Sequence, residues 1–337
     1  MKKFTFLVSL FIFLFYGMVS FSADQISIGT NPIGAFFHTI GVAAAKVIND
    51  HTNLKAVVKP MSGPEAWMPY MARGEMQLGV MNMWDAQMAV PGKYEWEKLS
   101  QGKGFPNLRL ITPTVPNKIG LMVAKDSPVK KISDLKGKKV AGKYPRSSIT
   151  LQTLALLANG GLEEKDVIMV PVHSPPDGVK AVIEGRAESS GTITLGSPII
   201  EELNAKKGAR YLPLDPSPQL VEKMRKYFPG YMVKVKEGPE AVGITGEQYL
   251  WAYDIYLATM AELPENTAYT ITKALYENCK EFELVHKLLR EWNRETFISK
   301  NIVIPYHQGA VKYFKEKGIW TKEMEEIQAK LLSQTKR

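Results

Sequence analysis

Two periodicities of apolar and polar residues alternate along this chain. From Gln25 to Gly29 every second position is apolar, the period of a half-buried strand. From Phe36 onward the apolar residues Phe36, Ile40, Ala43, Ala44 and Val47 recur at helical spacing, and between the two lies a turn holding Gly29, Asn31, Pro32 and Gly34. The same change of period repeats: a strand at 54–61, a short helix at 63–74, a strand at 76–82. After a Gly- and Lys-rich loop at 91–107, residues 108–127 read as two extended runs joined through Pro113 and Pro116. A second series follows, with a short helix and a strand near Val140, a helix over 148–161 stopped by Gly160, and a strand at 167–173. It continues with a helix at 177–186, a strand at 189–196 and a helix from Pro198 to Lys206. Residues 208–245 read as loops with one short helix, and 249–260 as another extended run. The remainder, 266–282, 284–297 and a tail from Gly309, is helical in pattern.

This alternation predicts α/β layers. The extended runs near 108–127 and 249–260 read as crossings between two lobes. One lobe then combines 23–115 with 246–337, and 116–245 is the inserted second lobe. The 337-residue length supports two cores rather than one.

The first residues read as a leader. Lys2 and Lys3 precede an apolar run from Phe4 to Phe15 and the small-residue stretch Ser20-Phe21-Ser22-Ala23. That is the order of a signal peptide, assigned to residues 1–22, and it predicts export to the periplasm. The single cysteine, Cys279, excludes an internal disulfide, so packing must supply the stability. Without Lys2 and Lys3 there are 41 basic residues against 34 acidic, a net charge of about +7. These charges are dispersed and form no block of five or six, which argues against a nucleic-acid partner.

No catalytic signature is present. The histidines at 38, 51, 173, 286 and 307 show no HExxH or HxH spacing, and no GxSxG elbow exists. Gly34 is followed by Ala35 and Phe36, so the Lys and hydroxyl of a phosphate-binding loop are missing. The reading is therefore no enzyme, no cofactor, no metal and no catalytic residues.

What remains is a set of polar helix starts. Asn31 is placed to cap a helix beginning at Pro32, with Gly34 allowing close approach to the backbone. Ser62-Gly63-Pro64-Glu65 has capping-box spacing. Arg146, Ser147, Ser148 and Thr150 precede or open an apolar helix, and Gly196-Ser197-Pro198 repeats a Ser-then-Pro start. Free amides and the partial positive charge at helix N-termini suit a carboxylate. Any one such residue also serves as a plain cap, worth about 1 kcal/mol. Two starts fall in each lobe, so a shared cleft between them would hold a small anionic solute. Asn82 and Trp84 stand at a strand end beside it, and one of Phe36 and Phe37 is expected to form a cleft wall.

The chain resembles the TAXI family, the extracytoplasmic solute receptors of TRAP transporters, over nearly all its mature length. IGTNPIGAFFHTIG is similar to that family's opening motif, with Phe36 and Phe37 where Tyr-Tyr is usual. GEMQLGVMN resembles its G-x-x-D-L-G strand with Gln77 in place of the acid, and RSSIT its Gly-Ser-Gly-Thr loop, keeping Ser148 and Thr150. LPENTAYTITKALYEN and IPYHQGAVKYFKEKG resemble its C-terminal signatures. The resemblance implies a two-lobed periplasmic binding protein fold with a ligand cleft between lobes joined by two crossing segments. It implies capture of an organic acid or an amino acid such as glutamate. Delivery would be to an ion-gradient-driven TRAP permease with fused small and large subunits, from a monomeric receptor. It places Thr30, Gly34 and Phe36, and Ser148 and Thr150, on family motifs. Pro64 and Trp67 replace the usual Ser and Asn, which suits a larger or more apolar acid. A receptor for an ATP-driven importer, or the sensing partner of a signalling protein, would use the same fold.

Overall fold

The computed structural model describes residues 25–335 apart from residue 146; the signal-peptide reading of 1–22 and the expectations for Arg146 fall outside the described residues. Ten strands form one continuous sheet in the order β2-β1-β3-β10-β4-β7-β5-β6, with β8 beside β4 and β9 beside β10. On one side stand β1 (Gln25–Thr30), β2 (Lys55–Pro60) and β3 (Leu78–Asn82), mutually parallel through β1. On the other stand β5 (Lys139–Lys143), β6 (Ile168–Pro171), β7 (Ser189–Thr194) and β8 (Ala209–Tyr211).

Two long antiparallel strands join them. β4 runs Leu108–Ala124 and β10 runs Glu247–Met260, while β9 (Tyr231–Lys236) pairs with the start of β10. β4 pairs with β10 along its first half and with β7 and β8 along its second; β10 passes from β9 to β3. Each is long because it belongs to both halves. Pro113 and Pro116 have no N–H for a ladder, and the β4–β10 register slips between Asp254 and Tyr256, opposite that stretch. The two runs expected there are one continuous strand.

Helices cover both faces: α1 (Phe36–His51), α2 (Pro64–Ala72), α3 (Met83–Ala89), α4 (Glu95–Leu99), α5 (Ile149–Asn159), α6 (Pro175–Ile183), α7 (Ile199–Lys207), α8 (Pro218–Arg225), α9 (Glu265–Glu277), α10 (Phe282–Val285), α11 (Gln308–Glu316) and α12 (Lys322–Gln334). The helical expectation for 284–297 fails: only the last residues of α10 and a 3-10 turn at Lys287–Glu291 form there. Trp292 stacks between Phe282 and Phe297, so aromatic packing holds that segment instead. Helices α3 and α4 and strands β8 and β9 were not anticipated; each is short, and short elements carry little periodic signal.

Trp67 shows how the first half is packed. Its indole is fully buried and lies over two glycines on neighbouring strands: a Cβ at Gly29 or Gly79 would sit 2.6 or 2.3 Å from the ring. Trp67 is therefore core, rather than the pocket wall its place in the family pattern suggested. Cys279 is buried and free, in keeping with a small core residue. His307, also fully buried, caps α11 by accepting from the Gly309 amide at 3.1 Å.

Candidate functional site

The β1–α1 loop of the first half touches the second half directly. Gly34 has φ +91°, a conformation that interrupts the helix expected to begin at Pro32 and delays α1 to Phe36. A Cβ on Gly34 would lie 3.8 Å from both Ile199 and Pro176, at the starts of α7 and α6, and its carbonyl accepts a long hydrogen bond from the Ile199 amide at 3.5 Å.

Behind this contact lies a narrow cavity walled by both halves. The first half contributes Asn31, Ala35, Phe36, Phe37, Pro64, Asn82 and Asp85; the second contributes Ile149, Gln152, Pro175, Thr192, Ile193, Thr194 and Ser197. Asn117 of β4 and Tyr253 of β10 form its crossing-strand wall, the Asn117 amide donating to the Tyr253 hydroxyl at 2.5 Å. A roomier hollow lies between Met71, Met76, Met260 and Leu263. It belongs to the first half alone.

Of the residues singled out in the sequence, Asn31, Phe36, Asn82 and Ser197 line the interlobe cavity. None of the four helix starts is capped as expected. Asn31 lies outside α1, whose N-cap is Ala35; Gly63 rather than Ser62 caps α2; the Ser148 and Pro198 caps make no side-chain bond. Ser62 is exposed and forms no capping box with Glu65. The unspent polar atoms of Asn31 (Oδ1), Ser148 (Oγ) and Ser197 (Oγ) are instead buried without a hydrogen-bond partner among the described residues.

Other singled-out residues are used structurally. The Thr30 hydroxyl donates to the Asn31 carbonyl at 2.9 Å. The Thr150 hydroxyl both donates to the Tyr144 carbonyl and accepts from its amide at 2.9 Å, tying down the loop before α5. Ser147 accepts from the Ile149 amide at 3.4 Å. Gly196, at φ +80°, lies under Leu288 and His286, and Phe36 meets His286 edge-on at 5.5 Å between centroids. Phe36 and Phe37 are both buried and both line the cavity, because the cleft wall is itself shielded by the second half. Trp84 is half-buried against Tyr94 and Phe228, away from the cavity walls.

Sequence reasoning missed the acidic side of the site. Asn82 is the N-cap of α3: its Oδ1 accepts from the Asp85 amide at 2.7 Å, while its Nδ2 donates to Asp85 Oδ2 at 2.5 Å. Asn82-Met83-Trp84-Asp85 carries the spacing of a capping box, the signal that would have found it. Asp85 is 1% exposed, and its Oδ1 has no partner among the described residues. Glu65 and Glu95 place carboxylate oxygens within 4.8 Å of it and of each other. Burial, reinforced by the charge of Glu65, pushes the Asp85 carboxyl well above the usual range; the hydrogen bond from the Asn82 side chain opposes the shift only in part. Ser148 Oγ faces that carboxyl without a hydrogen bond of normal geometry. Burial likewise lifts Glu65 to about 7, and Glu95 rises from the same cause.

Residues 28–318 match the NMT1-like family. The chain belongs to that family. Among solved structures, this NMT1-like protein is similar to a periplasmic transporter at a TM-score of 0.58 and 14% identity, covering 94% of this chain and 98% of that one. It is also similar to PhnD1 from Prochlorococcus marinus, determined with methylphosphonate, at a TM-score of 0.51 and 14% identity over 92% and 98% of the two chains. At such identity these likenesses establish the fold: two α/β lobes of the binding-protein type around a central sheet. No helix among the described residues is long and apolar enough to cross a membrane.

Proposed function

We propose that this NMT1-like protein is a periplasmic solute receptor that captures a small carboxylate-bearing solute in the interlobe cavity. One observation carries the reading. Buried, unpartnered polar atoms from opposite halves, Asn31 Oδ1 and Ser197 Oγ, border one cavity together with the first turn of α1. Phe36 and Phe37 open that 16-residue helix, and their amides find no acceptor among the described residues. Unused amides and the helix dipole favour a carboxylate there.

The lobes would be 23–115 with 246–337, and 116–245, hinged on β4 and β10. Closure over the solute buries the polar pairs and presents a closed surface to a membrane partner. The resemblance of the opening and C-terminal motifs to TAXI receptors supports a TRAP permease as that partner. A thermal-shift and X-ray scattering screen of organic acids and amino acids tests the capture step. A true solute raises Tm by a few degrees and compacts the protein; no response from any acid at millimolar concentration would remove the carboxylate reading. Uptake that survives ATP depletion but stops when the ion gradient collapses is the expected signature of the TRAP partner, and the reverse pattern overturns it.

A further inference from the structure

We propose that the end of the second half farthest from the interlobe cavity is a docking face for an anionic lipid bilayer. Six lysines outside any ion pair form it: Lys125, Lys130, Lys131, Lys138, Lys139 and Lys207. This role is independent of the solute that the cavity takes.

Topology gathers charges that are scattered along the chain. β5 runs parallel to β7, and β4 runs antiparallel to β7 and β8, so the end of β4 and the starts of the other three share one edge. Lys125 follows β4 and donates its amide to the Gly208 carbonyl at 3.3 Å, next to Lys207. Lys139 opens β5, and its carbonyl accepts from the Glu188 amide at 2.9 Å, just before β7. Lys138, Lys139 and Lys207 border one hollow with Ser127, and Lys130 Nζ donates to the Ser127 carbonyl at 2.9 Å. The opposite ends of β5 and β7 lead to α5 and Ser197, at the cavity.

Nearby charges are largely matched. Lys136 pairs with Asp166, Arg186 with Glu184, Lys143 with Glu164 and Lys165 with Glu163. The six lysines form no ion pair among the described residues. Three acids stand among them: Asp126 beside the hollow, Asp134, which accepts from the Lys130 and Lys131 amides, and Glu188, which accepts from the Ser127 hydroxyl at 2.5 Å. Six lysines less three acids leave a local charge of +3. Both arginines of this end are occupied, Arg186 by Glu184 and Arg210 by the Ser127 and Val129 carbonyls at 3.1 and 2.7 Å. The face therefore offers point charges on flexible stems and no free planar fork for one particular anion. Ile168, 54% exposed at the start of β6, donates its amide to the Lys138 carbonyl at 2.9 Å and adds a bare aliphatic side chain. Lysines around an exposed aliphatic suit a layer of anionic headgroups, through Coulomb attraction over about a Debye length and shallow apolar contact. Adsorption by this end leaves the interlobe cavity uncovered.

The test is cosedimentation of the mature protein with vesicles of phosphatidylcholine mixed with phosphatidylglycerol, against phosphatidylcholine alone. The expected result is binding to the anionic vesicles only, lost at about 0.5 M salt. Lys131→Glu with Lys139→Glu should lower the partition at least about tenfold. Lys55→Glu with Lys59→Glu makes the same change of net charge at exposed positions of β2 and should lower it less than about twofold. Lys125→Glu with Lys130→Glu repeats the test should the first pair not fold, and the wild-type comparison of the two vesicles decides by itself. Binding to neither vesicle, equal binding to both, or an equal loss from the β2 pair overturns the proposal. Release by millimolar inorganic phosphate at constant ionic strength would assign the hollow to a free anion, and tighter retention on polyglutamate than on vesicles would assign the face to an acidic protein; either result also overturns it.

Discussion

Asn82 and Asp85 hold each other by two reciprocal hydrogen bonds, backbone amide to Oδ1 at 2.7 Å and side-chain amide to Oδ2 at 2.5 Å. This single turn joins the end of β3 to α3 and sets an acidic group on the cavity wall. Replacing Asn82 by Ala removes the helix cap and leaves Asp85 Oδ2 without its donor. The expected destabilisation is about 1–3 kcal/mol, read as a lower urea midpoint with an unchanged m-value. Asn82→Asp should be worse than Ala, because it sets a second carboxylate against Asp85.

The buried carboxyls give stability a definite pH slope. Glu65 stands at about 7 in the folded protein against 4.5 ordinarily, chiefly through burial, and Asp85 is raised in the same direction. The folded state therefore binds more protons than the unfolded state between these values. Their contribution is full below about pH 4.5 and is lost as pH rises toward 7, a change of roughly a few kcal/mol. Surface carboxyls lowered by ion pairing, such as Glu202 beside Lys206 and Glu247 beside Lys234, act oppositely and weaken the fold in acid. Denaturation midpoints measured from pH 4 to 8 should peak near 5. Glu65→Gln should flatten the limb between 5 and 7; an unchanged slope would place the proton elsewhere.

Ser197→Ala separates binding from stability. Its Oγ is buried without a partner, so removing it relieves an unsatisfied group and should leave stability unchanged or raise it by up to about 1 kcal/mol. Solute affinity should fall at the same time. A variant that loses stability would show instead that the hydroxyl already has a partner in solution.

Gly79→Ala tests the seat of Trp67. A Cβ there lies 2.3 Å from the indole of a residue fully buried between strands, and overpacking of this kind costs about 1–3 kcal/mol or more. The penalty should shrink in a Trp67→Phe background, giving a clear coupling in a double-mutant cycle. Independent, additive effects would mean that the indole moves aside freely.

Much of the architecture was legible because it rests on local period. Alternation at 25–29 and the helical face from Phe36 to Val47 are properties of neighbouring residues, and β1 and α1 form where they point. The stop at Gly160 is likewise local: the helix it ends is α5. Elements shorter than two periods were not legible. α3 is seven residues, and β8 is three, formed because β4 offers an edge to pair with rather than because Ala209–Tyr211 prefer to be extended.

Local spacing along the chain specified the long strands and most of the long helices, and the gathering of polar residues and glycines at their junctions, because these follow from side-chain periodicity and backbone freedom within a few residues. Which of those junctions meet was settled by long-range packing. Asn31, Asn82 and Ser197 came together at one cavity, whereas Ser62 went to the surface and Thr150 to its own loop. Asp85 joined them through a turn three residues long. Which polar atom is left without a partner depends on every element packed around it, and that sum is fixed only when two distant halves close on the same space.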